Sequence, residues 1–144
     1  MLPEIRKAQW DNIYKANKAS ELSWYEVFPY ISIYIITLLQ LPKDAAIIDV
    51  GGGDSLLVDF LLRDGYTNIS VLDISEIAIN RVKTRLGKQS ADKVNWIVSD
   101  ILHFKTEKAY DFWHDRATFH FLTNEADIFQ YVSIACQADR KSVV

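Results

Sequence analysis

AIIDVGGGDSLLVDFLL, residues 45–61, is the stretch whose reading decides the fold. It opens on the apolar run Ala45 to Ile48, rich in β-branched residues like a buried strand. Three glycines follow, and after them the apolar positions take helical spacing. Strand, glycine turn, helix is the expected local structure. The helix is expected to start at Asp54, with Asp54 or Ser55 as its cap and Leu56, Leu57, Phe60 and Leu61 along one side. Gly51, Gly52 and Gly53 have no Cβ, so the backbone of the turn can come close to a small polar ligand. Asp49, inside the strand, selects among ligands. Its carboxylate suits a cofactor carrying positive charge better than a pyrophosphate set against the helix N-terminus.

Toward the C-terminus the pattern repeats with variations. Gly65 to Asn68 reads as a turn, Ile69 to Leu72 as a strand ending at Asp73, and Ser75 as the cap of a helix in which Ala78, Val82 and Leu86 recur before Gly87 stops it. Val94 to Val98 is a third strand ending at Ser99-Asp100, and Tyr110 to Trp113 a fourth ending at His114-Asp115-Arg116. Thr123 then caps a helix expected to turn Phe129, Val132 and Cys136 inward. Toward the N-terminus, residues 4–18 read as a helix carrying Trp10 and Tyr14 at i, i+4, and Tyr30 to Leu39 is long enough to favour a helix over a strand. Alternation of this kind implies an α/β fold, a parallel sheet with helices on both faces joined by right-handed crossovers. Residues 1–44 are expected to form a helical cap or lid, and residues 45–144 the core, together one domain.

Composition agrees with one ordinary globular unit: 144 residues, 49% hydrophobic and 24% charged, with net charge −3. The acidic balance makes nucleic acid an unlikely partner class. The longest apolar tract, Ile31 to Leu41, falls well short of the roughly 20 residues needed to cross a bilayer. No membrane association is expected, and a cytoplasmic location follows from the mixed-charge N-terminus. The one cysteine, Cys136, excludes an intrachain disulfide or a cysteine metal site, and an inert core thiol is expected there; no metal is called for.

In an open parallel sheet ligands lie beyond the carboxyl ends of the strands. Each of the four expected strands carries an acid at or near that end: Asp49, Asp73, Asp100 and Asp115. Aspartate is a common turn residue, so any one of these can be a solvated loop carboxylate, whereas the set points to a site. Asp73 follows Gly51 by 22 residues, close to the spacing at which a carboxylate meets ribose hydroxyls in βαβ nucleotide folds. Trp24 and Tyr25 have two readings of equal weight, as edge cover for the core or as a lid over a bound cofactor.

Asp49-Val50-Gly51-Gly52-Gly53 resembles the first motif of class I S-adenosylmethionine-dependent methyltransferases. Trp24-Tyr25, the DIS of residues 73–75 and the stretch HDRATFHFLT after the fourth strand are similar to the subgroup containing the elongation-factor lysine methyltransferases. The resemblance implies a Rossmann-like sheet that lacks the family's usual last strands, and S-adenosylmethionine as cofactor. It further implies that Asp100 accepts from the adenine amino group, that the Ile101 amide faces a ring nitrogen, and that Ile74 packs on the adenine face. Gly51 and Gly53 admit the methionine end, with Asp49 adding negative charge nearby. Asp115 is the expected catalytic residue, assisting or orienting the acceptor, and His114 and His120 are read as structural, one of them stacked among Phe112, Phe119 and Phe121.

Arg116-Ala117 replace the Lys-Gly of that subgroup stretch and His120 replaces an acid, so protein lysine and small molecules both stand as acceptors. The apolar fourth strand is expected to be an exposed sheet edge, so that the chain is either a truncated form or completes its sheet through a second copy or another partner. Two other functions fit parts of the pattern. A nicotinamide-dependent oxidoreductase shares the glycines and Asp73, but Leu56 occupies the place of the third fingerprint glycine. A non-catalytic module that keeps the cofactor site and acts by pairing with another protein fits the short C-terminal part.

Overall fold

Ile47–Val50 (β1), Ile69–Asp73 (β2), Val94–Val98 (β3) and Phe112–Asp115 (β4) form one parallel sheet in the order β3-β2-β1-β4. The computed structural model describes residues 1–116 and 118–139. Ala117, half of the Arg116-Ala117 departure, and residues 140–144, which carry the end of the C-terminal stretch, lie outside the described residues. β1 and β4 each begin two residues later than their apolar runs. The reason is a local knot. The Ala46 carbonyl accepts from the amides of Asp111 and Phe112, and the Asp111 carboxylate accepts from the Ala46 amide, so Ala45 and Ala46 are buried ahead of the ladder.

Side chains alternate across the sheet with the period of a strand. Ile47, Ile69 and Val71 face one side, where Ile36, Leu57, Leu61 and Val82 pack on them. Ile48, Val50 and Leu72 face the other, against Ile101, Leu102, Tyr131 and Ile134. The residues packed on the sheet come from the helices Tyr30–Leu39 (α2), Leu57–Arg63 (α3), Glu76–Leu86 (α4) and Glu125–Ala138 (α6) and from the 3-10 turn Ile101–His103, so both faces are covered, as a Rossmann-like fold requires. Pro3–Ala16 (α1) and the single turn Lys88–Ala91 (α5) complete the α-helices among the described residues. None of these helices is long and apolar enough to cross a membrane.

Two helix readings are corrected. α3 starts at Leu57 and not at Asp54: the glycine bend runs on through Asp54, whose side chain is buried, and the Ser55 hydroxyl accepts from the Leu57 amide. α6 is capped by Asn124, whose side chain accepts from the Asp127 amide, rather than by Thr123. Its inward stripe is Tyr131, Ile134 and Ala138, while Phe129, Val132 and Cys136 are exposed, so the cysteine is not a core thiol. The helix carries two apolar stripes at the same spacing, and only contact with the sheet chooses between them. Asn124→Ala is expected to lower stability by about 1 kcal/mol, read from urea unfolding.

Together with β3, β4 is one of the two lateral strands of the sheet among the described residues. α2 and α6 lie on its opposite faces, through Ser32 to His114 and Tyr131 to Trp113, and each shows apolar side chains outward: Ile31, Ile35 and Leu38 on α2, Phe129 and Val132 on α6. After α6 the chain returns to this edge, where Asp139 forms a parallel bridge with Tyr110.

Candidate functional site

The strand order reverses direction at β1: the chain runs from β1 to β2 and β3 on one side, then crosses to β4 on the other. Crevices form beyond the carboxyl ends of the strands at such a switch point. Here there is a cavity of about 470 Å³, lined by Asp49, Gly51, Gly52, Asp54, Asp73, Ile74, Asp100, Ile101, His114 and the aromatic residues of the N-terminal segment.

Its floor is the glycine bend. Gly51 and Gly53 have φ of +65° and +49°, a region that L residues with a Cβ avoid. The Gly51 and Gly52 amides both point to the Leu72 carbonyl, and the Gly53 amide donates to Asp73 Oδ2 at 2.7 Å. The space above is filled closely: a Cβ on Gly51 would run into the Thr118 hydroxyl, and one on Gly53 would sit 2.5 Å from the Tyr14 hydroxyl.

Three buried carboxylates surround the bend. Asp73 accepts from Gly53 and, through Oδ1, from the Ser75 amide at 2.8 Å. Burial pushes its carboxyl up to about 7; the two amides pull the other way, and the charges of Asp49 and Asp54 add to the rise. Asp54 is raised as well, by burial against the opposing charges of Arg81 and Arg85, and its buried Oδ2 is met by Arg81 Nη1 at the long ion-pair distance of 3.5 Å. Asp49 is the register partner of His114 across the β1–β4 ladder, which sets the two side chains together on the α2 face. His114 Nδ1 lies 2.7 Å from Asp49 Oδ1, and since a carboxylate only accepts, Nδ1 carries the proton. His114 Nε2 is 2.8 Å from the hydroxyl of buried Ser32.

Because the folded-state pKa of Asp73 lies above its ordinary 3.8, the native state holds a proton that the unfolded chain has already lost between those values. This contribution to stability is complete below pH 4 and disappears as pH rises through about 7. The ligand-free protein is expected to melt at a lower temperature at pH 8 than at pH 6, measured by calorimetry.

α1 closes the cavity from above. At one end Arg6 Nη1 donates to both oxygens of Asp100, at 2.8 and 3.1 Å, and Nη2 reaches Asp127 at 3.4 Å. At the other, Asp11 accepts from the Ser75 hydroxyl, and Arg81 donates to the carbonyls of Tyr14 and Asn17. Trp10, Trp24 and Phe121 meet edge to face, with centroids 4.9 to 6.4 Å apart, and all three line the cavity. Arg116 fastens this cluster by donating to the Trp24 carbonyl and pairing with Glu26 at 2.6 Å.

Of the residues expected from sequence, Asp49, Gly51, Asp73, Ile74, Asp100, Ile101 and Trp24 line one cavity, with Gly53 in its floor. Asp115 is placed otherwise. Its carboxylate accepts from the amides of Thr118 and Phe119 and from the Tyr131 hydroxyl, so it shapes the turn after β4, while its neighbour Arg116 faces the cavity. His120 packs against Phe121 with ring centroids 4.0 Å apart and planes tilted by 36°, whereas His114 belongs to the cavity wall. Sequence reasoning did not single out Arg6 or Asp54. Asp54 sits directly after the glycines and carried a signal; Arg6, 94 residues from Asp100, carried none.

A family model described as a methyltransferase domain matches residues 47–137. The chain is 27% identical over 122 residues to EEF1A lysine methyltransferase 2 of Danio rerio, covering 78% of this chain and 52% of that protein. It is 32% identical over 87 residues to malonyl-[acyl-carrier protein] O-methyltransferase 2 of Ilyobacter polytropus, covering 60% of this chain and 33% of that protein. The chain therefore spans about a third to a half of the length of these relatives. Among solved structures, the N-methyltransferase NodS of Bradyrhizobium japonicum, in complex with S-adenosylhomocysteine, superimposes with TM-score 0.68 at 17% identity, covering 92% of this chain and 67% of that one. A SAM-dependent methyltransferase of Thiobacillus denitrificans, also with S-adenosylhomocysteine, gives 0.63 at 18% identity over 78% of this chain and 45% of that one.

Proposed function

Because the chain belongs to the methyltransferase-domain family, we propose that its cavity binds S-adenosylmethionine and serves methyl transfer to an acceptor, either an amine of a protein or a small molecule. The observation that carries this reading is the crowding of Asp49, Asp54 and Asp73 around the glycine bend, where one oxygen of Asp54 is met only by the 3.5 Å ion pair to Arg81. Buried carboxylates repel one another and lose hydration, so an arrangement of this kind is stabilised by a cationic, hydrogen-donating ligand. A ligand with an ammonium and a sulfonium fits this donor set; a dinucleotide pyrophosphate would add negative charge to it.

In this reading Asp73 accepts from the ribose hydroxyls, and Asp100 from the adenine amino group, beside the Ile101 amide and the Ile74 side chain. Gly51 and Gly53 give the methionine end close backbone approach, and Asp49 and Asp54 balance its charge. The cofactor supplies an electrophilic methyl group on sulfonium sulfur. The protein's part is to hold both reactants in line and to keep water out. Trp10, Trp24 and Phe121 exclude water, and residues 1–44 act as the cap that brings Trp10 and Trp24 there. Asp115 orients the acceptor side by holding the turn that carries Arg116 and Phe121, rather than by taking a proton itself.

The lateral position of β4 among the described strands and the outward apolar residues of α2 and α6 support further polypeptide, from a second copy or a partner, as their cover. The mixed-charge composition supports a cytoplasmic setting.

Calorimetric titration with S-adenosylmethionine, S-adenosylhomocysteine and NADH tests the reading. Saturable binding of the first two, at one per chain, is expected. A folded protein that takes neither, or prefers NADH, overturns it. A tritiated-methyl assay on cell extract then separates protein from small-molecule acceptors.

A further inference from the structure

We propose that His114 is the residue through which the cavity distinguishes the sulfonium cofactor from its thioether product, by sharing the Asp49 carboxylate beside the glycine bend. The inference rests on the reading of the cavity as an S-adenosylmethionine site. Its geometry is the chain Asp49–His114–Ser32, with contacts of 2.7 and 2.8 Å, built into the wall of that cavity. Both ring nitrogens are engaged by the protein, so His114 does not take a proton from an acceptor directly; it acts through Asp49 and is a positioning residue. The other carboxylate oxygen of Asp49, Oδ2, lies against the bend, 2.9 Å from where a Cβ on Gly52 would stand.

The charge that Asp49 presents to a ligand therefore depends on its partner. With a protonated imidazole the pair is close to neutral; with a neutral imidazole the carboxylate acts on the bend in full. S-adenosylmethionine carries one more positive charge than S-adenosylhomocysteine, so it gains more when His114 loses its proton. The groups facing His114 are Asp49 on β1, Ser32 on α2, and Asp115 and Arg116 of its own segment, with Glu26 paired to Arg116. Burial and the Arg116 charge work against the imidazolium. The hydrogen bond to Asp49 and the charges of Asp49 and Asp115 outweigh them, so His114 titrates above the ordinary histidine value.

Linkage is reciprocal, so binding the sulfonium must also make His114 easier to deprotonate. The full chain has 3 histidines, and their side-chain signals can be followed by NMR as pH is varied. His114→Gln identifies the signal of interest; should that variant not fold, His103→Gln and His120→Gln identify it by elimination. Saturating S-adenosylmethionine is expected to lower the His114 midpoint by about 0.7 pH unit, a coupling on the order of fivefold, and S-adenosylhomocysteine by less than half of that. In binding assays at pH 6, His114→Gln should prefer S-adenosylmethionine over S-adenosylhomocysteine by roughly two- to fivefold more than the wild type does, and the difference should shrink as pH is raised. Asp73 titrates in both proteins and cancels from this comparison. A His114 midpoint that S-adenosylmethionine leaves unmoved, or equal preferences at pH 6, overturns the proposal while leaving the cofactor site standing. Failure of S-adenosylmethionine to bind at pH 8 overturns both.

Discussion

Gly53→Ala is expected to weaken S-adenosylhomocysteine binding by about 100-fold or more, a loss of about 2.7 kcal/mol in calorimetric titration. Two costs act at one position. Gly53 holds φ at +49°, where a residue with a Cβ carries a penalty of roughly 1–2 kcal/mol. The added methyl would also lie 2.5 Å from the Tyr14 hydroxyl and 3.4 Å from Asp73 Oδ2. Tyr14 is buried and its backbone is tied to Arg81, so relief comes from moving the bend or lifting α1, and either displaces the Gly53 amide from Asp73. The melting temperature should fall by several degrees as well. Binding retained within threefold would mean that the ligand does not lie against this bend.

Asp73→Ala should be as damaging to binding, for a different reason. The carboxylate is the acceptor proposed for the ribose hydroxyls, and hydrogen bonds to a charged group contribute about 1.5–3 kcal/mol each. The same substitution strips the Gly53 and Ser75 amides of their acceptor, so the bend and the start of α4 lose their common anchor. A loss of about 100-fold in affinity is expected, read by the same titration. A second signature separates the charge from the scaffold. The decline in ligand-free melting temperature from pH 6 to pH 8 should shrink in Asp73→Ala, the remainder coming from His114, which is also raised above its ordinary value. A decline of undiminished size would assign it to a group other than Asp73.

The strands and the glycine bend were legible in the sequence because their signals are local. A β-branched run, the loss of Cβ at Gly51 and Gly53, and the cap at Ser75 each act over a few residues, and Val94–Val98 and Tyr30–Leu39 fall where the pattern sets them. The reading failed where two local answers were equivalent. α6 has apolar residues on two sides, and the stripe chosen from spacing, Phe129, Val132 and Cys136, is the one the sheet leaves exposed. Asp54 reads as a cap by residue type, yet the bend turns it into the cavity wall. Asp115 stands at the end of its strand like the other acids, but the turn after β4 supplies it with two amides and a tyrosine hydroxyl.

By itself the amino-acid sequence determined the alternation of strands and helices, the row of acids at the strand ends and the glycine bend, since each depends on neighbours a few residues away. Which side chains meet was decided by the tertiary structure. Asp49 meets His114 across 65 residues because parallel register sets β1 beside β4, and Arg6 meets Asp100 across 94 because α1 folds over the strand ends. Contacts at such separations have no signature in a single chain of letters; they exist only once burial has fixed which face of each element turns inward.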